Sequence, residues 1–177
     1  KMLLKLAGWL SDRSLVDTLA TDVAAPPGGS VVYAALAEAG GSGGDALVSA
    51  AERSSGECLH AAVGLAPSHA KAQLRWGSWC YRQGGATLRT ASEERTKSAS
   101  RELGHLRSAA TAFFTYLRLS AGSHHARHAG VAVPLRLLKI MLRHPTELSS
   151  DLAHGFEATP PVAWRGVVPQ LFARLAH

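Results

Sequence analysis

Ala163-Trp164-Arg165-Gly166-Val167-Val168-Pro169-Gln170-Leu171-Phe172-Ala173-Arg174-Leu175 repeats large apolar residues at three- and four-residue steps. Trp164, Val167, Val168, Leu171, Phe172 and Leu175 share one face at that spacing, which is the period of a helix. Pro169 inside the pattern lacks an amide donor, so it bends or restarts the helix there. An apolar face of this size is stable only against other helices, which makes the fold one of helix packed on helix. The face stands close to His177, and the expectation drawn from it is a piece of a larger helical array.

Composition agrees with that class. The chain has 177 residues, 46% hydrophobic and 18% charged, which excludes a disordered chain and suffices for one domain with a core. Alanine and leucine dominate while aromatics are 6%, a mixture that favours helices over strands. No apolar run reaches the ~20 residues needed to span a bilayer. Met2-Leu3-Leu4-Lys5-Leu6-Ala7-Gly8-Trp9-Leu10 carries a charge in its middle, so it reads as an amphipathic helix and not as a signal peptide. Two cysteines, Cys58 and Cys80, fit a reduced, intracellular protein, and both fall in apolar helical patterns as buried thiols.

Charge is uneven. Residues 1–60 hold four Lys/Arg against seven Asp/Glu, and residues 61–177 hold fifteen against six, within a net charge of +6. The basic part permits an acidic partner or RNA, although a solvated basic face needs neither.

Working back along the chain, helices are expected at 1–10, 12–20 and 31–39. A break at 24–30 and a glycine linker at 40–44 interrupt them. Asp45 caps a helix with buried positions at Ala46, Leu47, Ala50, Ala51, Cys58, Leu59, Ala62 and Val63. After Pro67, Ser68 caps a second helix, which Gly84-Gly85 closes. Its core positions are Ala72, Leu74, Gly77, Ser78 and Tyr81. Two antiparallel helices with small residues at their crossing resemble one tetratricopeptide-like repeat.

A polar stretch at 86–97 leads to a long helix at 98–121 built on Leu103, Leu106, Ala109, Ala110, Phe113, Phe114 and Leu117. A break at 122–130 precedes a helix at 131–143, with Leu135, Leu138 and Leu142 as its apolar face. Pro145 stops it, and a short helix from Thr146 to His154 is capped by Gly155. Thr159-Pro160-Pro161 opens the last helix. The expected architecture is all-α, an α-solenoid of antiparallel helix pairs of tetratricopeptide or HEAT type. Its parts are N-terminal helices at 1–39, a linker at 40–44 and a solenoid at 45–177.

Candidate chemistry is sparse. His124, His125 and His128 have a spacing that zinc accepts, but no carboxylate or cysteine lies near them in sequence, and a glycine-bounded loop is the better reading. Gly41-Ser42-Gly43-Gly44 lacks the Gly-Lys-Ser/Thr that a phosphate loop requires. No Gly-x-Ser-x-Gly elbow is present. His144, His154 and His177 read as helix-end or surface residues. Arg136, Lys139 and Arg143 form a stripe opposite the three leucines of their helix. It suits a phosphate-rich ligand or, more simply, solvent. Trp76, Trp79 and Tyr81, like Phe113, Phe114 and Tyr116, read as core aromatics. No catalytic, cofactor-binding or metal-binding residue is assigned.

Several segments together carry a resemblance. Ser78-Trp79-Cys80-Tyr81-Arg82-Gln83-Gly84, Ala112-Phe113-Phe114-Thr115-Tyr116-Leu117-Arg118-Leu119, Leu135-Arg136-Leu137-Leu138 and Trp164 to Leu175 resemble, in this order, the FAT domain of the phosphatidylinositol-3-kinase-related protein kinases. The likeness is greatest to the branch of that family acting in nonsense-mediated mRNA decay, and it covers Ala46 to His177. The family carries a long acidic insertion before the Phe-Phe helix, where this chain has only Gly85 to Arg107.

The resemblance implies a segment of a large serine/threonine protein kinase, a FAT-type solenoid that braces the kinase domain. The implied partners are that kinase domain, neighbouring solenoid repeats, regulatory subunits of the decay kinase and its RNA helicase substrate, with no membrane. The implied compartment is the cytoplasm, with the nucleus as a second one. ATP and a divalent metal would belong to the kinase domain. Inositol hexakisphosphate is a ligand of such domains, with no residue assigned to it here. The sequence itself has no Gly-rich loop over ATP, no His-Arg-Asp loop and no Asp-Phe-Gly. Two other classes compete: a free-standing tetratricopeptide-like adaptor, which needs polar capping helices, and a basic RNA-binding helical module, which needs salt-sensitive retention by nucleic acid.

Overall fold

The computed structural model describes residues 1–12, 43–86, 95–121 and 131–169. Among these residues there are six α-helices, one 3-10 turn and no strand. The helices are α1 (Met2–Leu10), α2 (Gly43–Leu65), α3 (Ala70–Ala86), α4 (Arg95–Ser120), α5 (Ala132–Arg143) and α6 (Ser149–Ala158), and the 3-10 turn is Pro161–Trp164. The protein is all-α, as its apolar periodicity predicts. The helix expected at 12–20 apart from Asp12, which is not helical, the helix expected at 31–39, the breaks at 24–30 and 122–130, and Leu171, Phe172 and Leu175 lie outside the described residues.

The chain forms two compact units, Lys1–Leu65 and Ala66–His177. The boundary follows α2, whereas the sequence suggests one at the glycine stretch 40–44. Gly43 and Gly44 belong to α2. A first helical turn tolerates glycine because its amides need no intrahelical partner.

In the first unit α1 packs on α2. Leu4 and Ala7 of α1 are buried, as are Ser55, Gly56, Leu59 and Ala62 of α2. Ser55, a position that apolar periodicity passes over, donates its hydroxyl to the Ala7 carbonyl at 3.2 Å. Ser11 donates to the same carbonyl at 2.7 Å, and the two hydroxyl oxygens stand 2.9 Å apart. Short side chains let the two backbones approach, and each buried hydroxyl finds a partner.

The second unit is organised by α4, whose Leu106, Ala109, Ala110, Phe113, Phe114 and Leu117 are buried. The direction of its neighbours follows from their contacts. Gly77 of α3 lies against Phe113, and Gly84 against Leu106, so α3 runs antiparallel to α4. Arg136 of α5 reaches the Phe113 ring while His144 stands beside Glu102, so α5 is also antiparallel to α4. Arg107 pairs with Asp151, and Phe114 meets Gly155, so α6 runs parallel to α4. Successive helices therefore alternate in direction, the order on which stacked antiparallel pairs are built.

Three sequence expectations change here. Gly84 does not close α3: a Cβ there would stand 2.7 Å from Leu106 of α4, so glycine permits that contact, and α3 runs on to Ala86. His69, not Ser68, starts α3, its Nδ1 accepting from the Ala72 amide at 3.2 Å, while Gln73 donates to the Pro67 carbonyl at 2.8 Å. Gly155 lies within α6 against Phe114. The helix closes instead at Thr159, whose buried hydroxyl donates to the Gly155 carbonyl at 2.7 Å and satisfies one of the orphaned carbonyls of the last turn.

Cys58 and Cys80 are free thiols, half-buried and buried respectively. Burial pushes the Cys80 thiol up to about 12. An unfolded thiol ionises near 9.0 while the folded one keeps its proton, so this stabilisation is complete below pH 9.0 and is lost as pH rises toward 12. Two outcomes are expected. Iodoacetamide at pH 8 should leave Cys80 unmodified in the folded chain yet label it in urea, as read by mass spectrometry. Cys80→Ala should flatten the alkaline fall in stability.

Candidate interaction surface

α5, with the sequence Ala132-Val133-Pro134-Leu135-Arg136-Leu137-Leu138-Lys139-Ile140-Met141-Leu142-Arg143, is apolar on two sides and has no acidic residue. Val133, Leu137 and Ile140 form one stripe, and Leu135, Leu138 and Leu142 another, roughly 160° around the helix. Helical spacing cannot choose between them. The structure buries the first: Val133, Leu137 and Ile140 belong to the core with Phe113, Phe114 and Leu148. The second, expected from the sequence to be the core face, points away from it. Leu135 and Leu138 are half-buried and outside that core cluster, and Leu142 is 73% exposed.

The basic stripe of α5 also divides. Lys139 and Arg143 are exposed along one edge of the leucine stripe, roughly 90° around the helix from it and not opposite it as the sequence suggests. Arg136 turns inward instead. Its guanidinium lies over the Tyr81 ring at 5.5 Å and the Phe113 ring at 5.9 Å, and it donates to the Ser78 hydroxyl at 2.8 Å. Arg136 thus ties α5 to α3 and α4, and it is half-buried in doing so. Cation–π contacts contribute roughly 0.5–1 kcal/mol each at such sites, and the hydrogen bond about 1 kcal/mol. Arg136→Ala is expected to cost about 2 kcal/mol in urea denaturation. Lysine would restore little of this, because it lacks the planar group that stacks and donates together.

The remaining aromatics surround the core. Trp76 and Trp79 stack at 5.4 Å with 9° between planes, and His105 meets Trp79 edge-on at 5.6 Å. Burial, assisted by the Arg101 charge, holds the His105 pKa below the usual histidine value. Phe114, Phe156 and Trp164 form a second cluster with centroids 4.9–6.4 Å apart. Trp164 is the first member of the terminal apolar pattern. Val167 is buried and Val168 exposed, while helical residues resume at Val168 and Pro169. Pro169 therefore stands in a first turn, where its missing amide costs nothing.

His144 follows α5 and its amide donates to the Ile140 carbonyl at 2.9 Å, while its imidazole stands 4.0 Å from Glu102. His154 is exposed on α6. His124, His125, His128 and His177 lie outside the described residues. Among the described residues no three His, Cys, Asp or Glu side chains gather as a metal site, and no helix is long and apolar enough to cross a membrane. What the fold does present is the two-sided helix α5, with its core face covered and its leucine stripe edged by Lys139 and Arg143.

No protein-family model matches the chain, and no solved structure matches it. Among curated proteins, serine/threonine-protein kinase SMG1 of Danio rerio is 36% identical over 84 residues, covering 37% of this chain and 2% of that protein. Serine/threonine-protein kinase Smg1 of Drosophila melanogaster is 30% identical over 90 residues, covering 41% of this chain and 3% of that protein. The chain therefore contains a segment similar to SMG1 kinases, and it spans only 2% and 3% of the length of these two relatives.

Proposed function

We propose that this chain is a helical scaffold segment of a serine/threonine protein kinase of the phosphatidylinositol-3-kinase-related family, of the kind that acts in nonsense-mediated mRNA decay. Similarity to two SMG1 kinases carries the reading. The packing supports it. Helices that alternate in direction, with one helix apolar on two sides, suit a layer enclosed between neighbours in a FAT-type, tetratricopeptide-like solenoid. In this reading the segment supplies no catalytic group. It carries load, holding the kinase domain through stacked helices, while ATP and its metal belong to the kinase domain. The regulatory subunits and the RNA helicase substrate of the decay kinase are partners of the whole protein.

An antibody raised against this chain tests the proposal. From the organism that encodes it, the antibody should precipitate a polypeptide many times longer than this chain, with serine/threonine kinase activity toward peptides of the decay helicase. Depletion of that polypeptide should lengthen the half-life of mRNAs bearing premature stop codons. A precipitated polypeptide without kinase activity would exclude the reading.

A further inference from the structure

We infer that the outer face of α5 is a docking surface for an acidic amphipathic helix. Leu135, Leu138 and Leu142 run along α5 for about 10 Å at i, i+3 and i+7, the spacing at which one helix lies along another. Lys139 and Arg143 stand exposed on the same edge, one turn apart. Nothing on α5 offsets them, because the helix has no carboxylate. Arg136, the third cation, is held by Ser78, Tyr81 and Phe113, so the edge charge available to a partner comes from Lys139 and Arg143.

The complement of this surface is a helix with leucine-like side chains along one face and glutamate or aspartate beside them. Such a helix buries Leu142 and places carboxylates opposite Lys139 and Arg143. RNA would meet the two cations and leave the leucines wet. The inference deepens the scaffold reading by naming the partner class, yet it stands on α5 alone, so a precipitate without kinase activity leaves it untouched.

The whole 177-residue chain is titrated, by fluorescence anisotropy, into a labelled designed helix of about 20 residues. This probe carries leucine at its a and d positions and glutamate at e and g. A twin carries lysine in place of glutamate. The acidic helix should bind at least tenfold more tightly than its twin. Leu142→Asp should remove binding, with helix content unchanged by circular dichroism because Leu142 is solvent-exposed. The double variant Lys139→Glu/Arg143→Glu should reverse the preference, binding the lysine twin more tightly. Equal affinity for both helices would overturn the proposal, as would indifference to Leu142→Asp. Binding to phosphatidylserine vesicles or to single-stranded RNA without binding to the acidic helix would overturn it too, in favour of a lipid or nucleic-acid partner.

Discussion

Phe113→Ala should lower the stability of the Ala66–His177 unit by about 4 kcal/mol, the middle of the range for deleting a buried ring. Phe113 has no exposed surface and lies at the meeting point of three helices. Its ring stands 6.3 Å from Tyr81 of α3, carries the Arg136 guanidinium of α5 at 5.9 Å, and fills the space left by Gly77. Alanine would remove the transfer energy of the ring and leave a cavity that rigid helices close only in part. It would also strip Arg136 of one of its two aromatic supports. Phe113→Leu, which keeps most of the volume, should cost less than half as much. Urea denaturation followed by tryptophan fluorescence in a Trp9→Phe background, which leaves Trp76, Trp79 and Trp164, reports on this unit. A loss below about 1 kcal/mol for the alanine variant would mean that Phe113 is not the hub of the unit.

Gly155→Ala should destabilise by about 1–2 kcal/mol net, against the sign that helix propensity predicts. In an open helix position the same change gains roughly 0.5–1 kcal/mol, because glycine loses the most backbone freedom on folding. At Gly155 a new Cβ would overlap the Phe114 ring. That ring is buried and held by Phe156 at 5.2 Å and Trp164 at 6.4 Å, so it has no free direction in which to turn. Either α6 moves off α4 or the aromatic cluster breaks, and overpacking of this kind costs about 1–3 kcal/mol.

Two comparisons isolate the cause. Gly104→Ala on α4, where a Cβ meets nothing within 4 Å, should stabilise the protein. Phe114→Leu should absorb part of the Gly155→Ala penalty, so that the double variant is less destabilised than the sum of the two. Additive losses would place the strain elsewhere than at this contact.

The α5 face shows why periodicity stops short of a site. Val133-Leu137-Ile140 and Leu135-Leu138-Leu142 satisfy the same rule, and only the position of Phe113 and Phe114 on a neighbouring helix selects the first. Lys139 and Arg143 were legible as exposed cations. Arg136 was not separable from them, because its partners lie 58 residues away at Ser78 and on two rings of other helices. Trp79-Cys80-Tyr81 and Phe113-Phe114, on which the sequence resemblance partly rests, lie in the core of the second unit or pack against it.

Glycine taught a related lesson. Gly84 and Gly155 read as helix ends because glycine accepts conformations that stop helices. In the folded chain both lie inside helices, where they make room for Leu106 and Phe114. A missing side chain has two uses, and sequence spacing alone cannot say which applies.

By itself the sequence determined the helical class, the existence of α1 to α6 to within a few residues at most ends, and the burial of the α4 stripe. Those properties follow from local propensity and from the period at which apolar residues recur, both written within a few turns of chain. Tertiary structure alone decided which face of α5 is core, why Gly84 and Gly155 are glycine, where Arg136 points, and that Ser55 is buried. Each depends on a side chain distant in sequence, and a helix supplies faces without specifying what will be packed against them.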